Sequence, residues 1–243
     1  MFVLLFLTGS LLTRIALLLK AASVVSFNAS LVAAFGWGLV YDLAAALLWA
    51  APLVVLLTLL PARFFEKRWG QWLAGAGVLA ALFSLLFGAV AEWLFWDEFG
   101  VRFNFIAVDY LVYTKEVLDN IRESYPMPLI FGALFVGALG GFGLVQKTGL
   151  LARWFAAGPE PLLRRARGGA VWLVAALIAG FAVDADRLPG FANNYNRELA
   201  KNGVWSLFAA FWDNELDYDQ FYLTLPVNEA FARFNLAACI KAG

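Results

Sequence analysis

Three ionisable residues sit inside or at the ends of long apolar stretches: Arg14, Asp42 and Glu92. A charge placed in hydrocarbon costs about 2.5–3.5 kcal/mol on insertion scales, so each needs a partner or a purpose. Arg14 lies about two turns from the end of its stretch. Its long side chain can therefore reach the level at which Asp42 opens one stretch and Glu92 closes another. Three chemistries are open to such a set: a structural Arg14–Asp42 or Arg14–Glu92 pair, a polar pocket for a lipid headgroup, or a proton or ion pathway. The pair asks least of the sequence. A second acidic group, Asp213, Glu215, Asp217 and Asp219, alternates like a calcium loop. Counted from Asp213, however, Tyr218 stands where the loop needs glycine and Thr224 where it needs a bidentate glutamate, so the run reads as a solvated turn or linker. The chain has no histidine, which removes the commonest general base and excludes a Ser-His-Asp triad. No G-x-S-x-G, phosphate-cradling glycine loop or HExxH is present. No metal ligand set or cofactor motif remains, and the residues hold no autonomous active site.

The elements that must position these charges are transmembrane helices. Of 243 residues, 63% are hydrophobic and only 15% charged, against about a quarter charged in a soluble domain. Five stretches approach the ~20 residues needed to cross a ~30 Å hydrocarbon core: about 2–20, 42–60, 72–96, 127–146 and 168–184. The expected class is all-α integral membrane, with a transmembrane domain over 1–185 and an extracytoplasmic helical linker over 186–243. In the shortest span, Arg167 and Asp184 can snorkel outward from the ends. The apolar start is too long for a cleavable leader and lacks its basic opening. Lysine plus arginine equals aspartate plus glutamate, so nucleic-acid binding has no electrostatic footing. The single cysteine, Cys239, excludes an intrachain disulfide.

Orientation follows from the basic residues of the short loops. The loop after the second span holds Arg63, Lys67 and Arg68; the loop after the fourth holds Lys147, Arg153, Arg164, Arg165 and Arg167. The 21–41 stretch has none. The basic loops are therefore expected in the cytoplasm with the N-terminus, and 21–41, 97–126 and the C-terminal part outside. Segment 97–126 and residues 193–212 read as helices lying on the outer bilayer surface. The second of these breaks at Asn202-Gly203, where glycine suits a left-handed cap, and continues with Val204, Trp205, Phe208, Phe211 and Trp212 at helical spacing. Two small-residue stripes, Ala133-Gly137-Gly141 and Ala80-Ser84-Gly88, are expected to let neighbouring backbones approach.

Two stretches are similar to a known family. Residues 96–126, from Trp96-Asp97-Glu98-Phe99 to Tyr125-Pro126, resemble the outer loop between helices three and four of bacterial lipoteichoic-acid-synthase-like proteins, Gram-negative branch, in the alkaline phosphatase/sulfatase superfamily. Residues 193–226, from Asn193-Asn194-Tyr195-Asn196 through Asn214-Glu215-Leu216-Asp217 to Leu225-Pro226, resemble the segment joining that membrane domain to its catalytic domain. The resemblance implies a following sulfatase-fold domain with a threonine nucleophile and a divalent metal, transferring a phosphoglycerol- or phosphoethanolamine-type headgroup from phospholipid. Neither nucleophile nor metal ligands have a counterpart here, and the chain reaches Gly243 before that domain is expected to begin. The implied partners are the phospholipid bilayer and a catalytic domain in cis or from a neighbouring gene. On the outer segment, Arg102, Asp109, Tyr113 and Lys115 are the candidates for a headgroup, since basic side chains meet phosphate well. The alternative is a stand-alone membrane scaffold or lipid-binding subunit. A transporter is disfavoured by the lack of a repeat or a mid-membrane acid.

Overall fold

The computed structural model describes residues 1–61, 63–112, 114–156, 160–183 and 188–212, and every regular element among them is an α-helix. Five helices are long and apolar enough to cross a membrane: α1 (Phe2–Lys20), α2 (Ala29–Leu59), α4 (Arg68–Phe99), α7 (Met127–Lys147) and α9 (Leu162–Ala182). Short helices join or follow them: α3 (Arg63–Glu66), α5 (Phe105–Val112), α6 (Thr114–Ser124), α8 (Leu150–Ala156), α10 (Asn194–Ala200) and α11 (Gly203–Trp212). Leu129, Val136, Val171 and Phe181 expose 68–84% of their surface, a face suited to hydrocarbon and not to water. The chain is an all-α, multi-pass membrane protein.

Three spans, α2, α4 and α9, are several residues longer than expected. The second helix begins at Ala29, because Asn28 caps it by accepting the Ser30 N–H at 2.9 Å and no breaker follows before Asp42. Asp42 therefore lies well inside α2 and does not start it, and the connecting stretch expected over 21–41 shrinks to the turn 21–28. At 1.5 Å per residue, α2 and α4 each run about 45 Å, beyond a ~30 Å core. Gly100 in the left-handed conformation (φ 68°) closes α4. Arg164, Arg165 and Arg167, expected in a loop, are in the first turns of α9. Asp184, Cys239 and the acidic run 213–219 lie outside the described residues.

The main packing contacts order the spans α9–α2–α1–α4–α7. Phe2 and Phe6 pack against Trp49 with tilted rings and Arg14 meets Asp42, so α1 and α2 are antiparallel. Lys20 pairs with Asp97, with its ammonium 4.5 Å from the Trp93 ring, so α1 runs parallel to α4. The core between α1 and α2 is built on small residues, Ala44, Ala45 and Ala46, with Phe6, Tyr41 and Trp205. Gly137 and Gly141 do face α4, 3.2 and 3.6 Å from the side chains of Leu86 and Leu82 at the place of a Cβ. Ala133 is exposed, and the partner face of α4 is not Ala80-Ser84-Gly88: Ala80 and Ser84 are exposed, and Val78 and Leu82 pack with Ala138 and Val145. Large residues of one helix fill the gaps left by small residues of the other, as ridges fill grooves.

The α2–α9 seam is fastened by polar groups. The Trp172 indole donates to the Leu47 carbonyl at 3.1 Å. The Arg165 guanidinium donates to the carbonyls of Leu57 and Leu60, which the end of α2 leaves without helical donors. A Cβ on Gly169 would stand 2.5 Å from Thr58 Oγ1. Threonine is stiff at χ1, so Gly169→Ala is expected to cost about 1–3 kcal/mol. Thermal unfolding in detergent should show that loss, and Thr58→Ala in the same chain should restore most of it. An unchanged midpoint for Gly169→Ala would contradict the close α2–α9 approach.

Candidate functional site

The buried charges converge where α10 ends and α11 begins. Arg14 and Asp42, each 1% exposed, form a two-pronged pair: Nη1 to Oδ2 at 2.6 Å and Nη2 to Oδ1 at 2.9 Å. Of the two pairings expected for Arg14, this is the one that forms. Gly38 makes room for it, since a Cβ there would overlap the guanidinium. Arg14 also reaches across to the last helix pair, donating Nε to the Leu199 carbonyl at 2.8 Å and Nη2 to the Lys201 carbonyl at 3.1 Å. Asp42 accepts a further hydrogen bond from Asn202 Nδ2 at 2.7 Å.

Glu92 takes a different arginine. After the left-handed turn at Gly100 the chain doubles back, and Arg102 pairs with the Glu92 carboxylate. Arg102 also donates its Nε to the Glu198 carbonyl at 3.2 Å and its backbone N–H to Glu198 Oε2 at 3.0 Å. Lys201 closes the set on Glu198. The carboxylate of Glu92 lies where a Cβ on Gly203 would be.

These contacts complement the two helix ends. The carbonyls of Glu198, Leu199 and Lys201 belong to the C-terminal end of α10, where the backbone dipole favours cations, and two guanidinium groups occupy it. Gly203 is the first residue of α11, where the dipole favours an anion, and the Glu92 carboxylate lies against it. Asn202 caps α11 by accepting the Trp205 N–H at 3.0 Å. The chain breaks where the sequence indicated, but Gly203 has no positive φ. Glycine is required there for lack of space beside Glu92. Further along α10, Asn196 donates Nδ2 to the Ser26 carbonyl at 2.9 Å and to Ser30 Oγ at 2.7 Å, and Asn193 donates to the Val24 carbonyl at 2.8 Å. The stretch 193–205 is thus seated in the helix bundle, with Asn196, Leu199, Ala200, Asn202 and Trp205 buried. The sequence suggested helices lying on the bilayer surface; the structure packs one face of this stretch on the bundle. Only the far side of α11, with Phe208, Phe211 and Trp212 exposed, keeps the interfacial character.

The socket combines three cations, Arg14, Arg102 and Lys201, with three carboxylates, Asp42, Glu92 and Glu198. Its charge balances, and each carboxylate is committed to a cation. This donor set does not fit a divalent metal, which needs free carboxylate oxygens. Nor does Arg102, 1% exposed and neutralised by Glu92, offer charge to a phosphate; it is a socket residue rather than a headgroup contact. Its Nη2 has no acceptor among the described residues. Asp109 is exposed on α5. Tyr113 and the Lys115 side chain lie outside the described residues. No family model, curated protein or solved structure matches this chain.

The sequence flagged Arg14, Asp42, Glu92 and Arg102 but not Asn196, Glu198, Lys201, Asn202 or Gly203, which complete the site. Asn202 carried a visible sign, an asparagine at the start of an apolar helical run; its partner Asp42 is too remote in sequence to be read from it.

Removing one member of a buried pair strands the other. Arg14→Met is expected to cost about 3–5 kcal/mol in thermal unfolding. Arg14→Met with Asp42→Leu should recover much of that, yet leave the Leu199 and Lys201 carbonyls unheld, so trypsin cleavage after Arg197 and Lys201 should rise. Gly203→Ala should give the same protease phenotype with the helical circular dichroism of the spans intact. Protection equal to that of the unsubstituted chain in both variants would count against the socket.

Proposed function

We propose that this chain is the membrane anchor and lipid-presenting domain of a sulfatase-family transferase of phosphoglycerol- or phosphoethanolamine-type headgroups, acting in cell-envelope glycan or polymer synthesis. Catalysis, with its divalent metal, is supplied by a domain outside residues 1–243, in cis or from a neighbouring gene. The observation that carries this reading is the socket. It fixes residues 194–203, within the stretch 193–226 that resembles a linker to a catalytic domain, against α1, α2 and α4. An enzyme that draws its substrate from the bilayer gains by holding its reacting groups at a constant height above it, because positioning replaces a free encounter. A domain that only had to stay in the membrane would need five apolar helices and no such fastening.

The orientation belongs to the same proposal: a bacterial inner membrane, the N-terminus cytoplasmic, and the socket with the C-terminal part on the extracytoplasmic side. The bias of Arg63, Lys67, Arg68, Lys147 and Arg153 to one end supports it. At the other end α5 and the amphipathic α6 provide a surface where headgroups gather, with Asp109 exposed on it.

The test is transfer of labelled phosphoglycerol from phosphatidylglycerol in proteoliposomes. The full chain alone should transfer none. Linked after residue 243 to a sulfatase-type catalytic domain, it should support transfer, and Gly203→Ala should reduce the rate about tenfold or more, the scale of a misplaced reacting group, with membrane insertion unchanged. Transfer by the chain alone, or transfer indifferent to Gly203→Ala, would overturn the proposal.

A further inference from the structure

At the end of the bundle opposite the socket, α2 and α4 flank a recess. Phe2, the first residue of α1, packs at the level of Trp49 on α2, with ring centroids 6.3 Å apart, and beside the Val78–Leu82 cluster of α4. From that level α2 runs on to Leu59 and α4 reaches back to Arg68, about 15 Å in each case at 1.5 Å per residue. The recess, of about 190 Å³, is lined by Phe2 from α1, Trp49, Pro52 and Leu53 from α2, and Gly77 and Ala81 from α4. Small residues make it: a Cβ at Gly77 would have nothing within 4 Å. Its walls are carbon, so a polar ligand would find no partner in it.

The same end of the bundle carries the opposite character. Arg63, Lys67 and Arg68 are exposed, and none of them is ion-paired with a described residue. Glu66 is the one acid among them. Arg68 and Gly77 are about 13 Å apart along α4, close to the depth of one leaflet of a ~30 Å core. A lipid with its phosphate at the level of Arg68 therefore brings the lower half of an acyl chain to Gly77.

We infer that this recess holds one acyl chain of an anionic phospholipid whose phosphate is met by Arg63, Lys67 and Arg68. The site is separate from the socket and stands whether or not the proposed transferase role does. It is a resident lipid position, in which the chain fills the space between α2 and α4 and the headgroup ties α3 to the start of α4.

The experiment uses the full chain in phosphatidylcholine nanodiscs containing phosphatidylglycerol spin-labelled near the end of one acyl chain. Electron paramagnetic resonance reads the motionally restricted fraction. Gly77→Leu fills the recess without a clash and should lower that fraction several-fold. Gly88→Leu, on the same helix and equally free of neighbours within 4 Å, should leave it unchanged. Replacing Arg63, Lys67 and Arg68 by glutamine should weaken the preference for phosphatidylglycerol over phosphatidylcholine by roughly fivefold per residue. Equal fractions for Gly77→Leu and Gly88→Leu would overturn the inference, as would an anionic preference that survives the triple substitution. A dimer that dissociates on Gly77→Leu would also overturn it, by giving the recess to a second copy.

Discussion

A guanidinium carries five N–H donors in a rigid plane and stays charged under all ordinary conditions. Among apolar helices it must be given acceptors, and water is not available to provide them. Arg14 finds four: both oxygens of Asp42 and the carbonyls of Leu199 and Lys201. The first two come from the neighbouring span, and the last two from a segment that enters the bundle after the fifth. Satisfying one side chain therefore joins the beginning of the chain to its last described helices. Gly38, Asn202 and the close packing of Leu199 all follow from the need to bring those acceptors within reach.

The second pair repeats the solution with different parts. Arg102 belongs to a loop, Glu92 to a span, and the carbonyl they share with the socket is that of Glu198. Each pair alone would cost about as much to bury as it returns. Together they enclose a helix C-terminus and the next helix N-terminus, whose partial charges have the matching signs. The exit of the chain is thereby fixed by electrostatics, in a setting where apolar surface gives little drive for helix association because lipid tails are equally apolar.

The span arrangement serves the same end. α1 is the shared middle of the row, with α2 on one side and α4 on the other, so it presents Arg14 to one and lies near Glu92 on the other. Glycines and alanines let the helices close up, and large side chains from the facing helix occupy the space. Where α1 gives way, small residues instead leave the recess lined by Gly77 and Ala81. The same residue types produce a tight seam when a partner faces them and an apolar hollow when none does.

The sequence by itself determined the class, the number of spans and the places where charge would have to be accounted for. Hydropathy over ~20 residues is a local property, and so is the expense of a charge within it. It also indicated the break at Asn202-Gly203, the helix pair in 193–212 and helical structure in 97–126. Tertiary structure decided which acid met which arginine. It extended α2 through Asp42, because a paired aspartate need not stand at a helix start. It turned Arg165 from a loop charge into the fastening of the end of α2. It drew 193–205 into the bundle, because its carbonyls and asparagines are the acceptors and donors that the buried charges and the 24–30 turn lack. Those matches join residues as far apart as Arg14 and Lys201, and nothing local in either residue specifies the other.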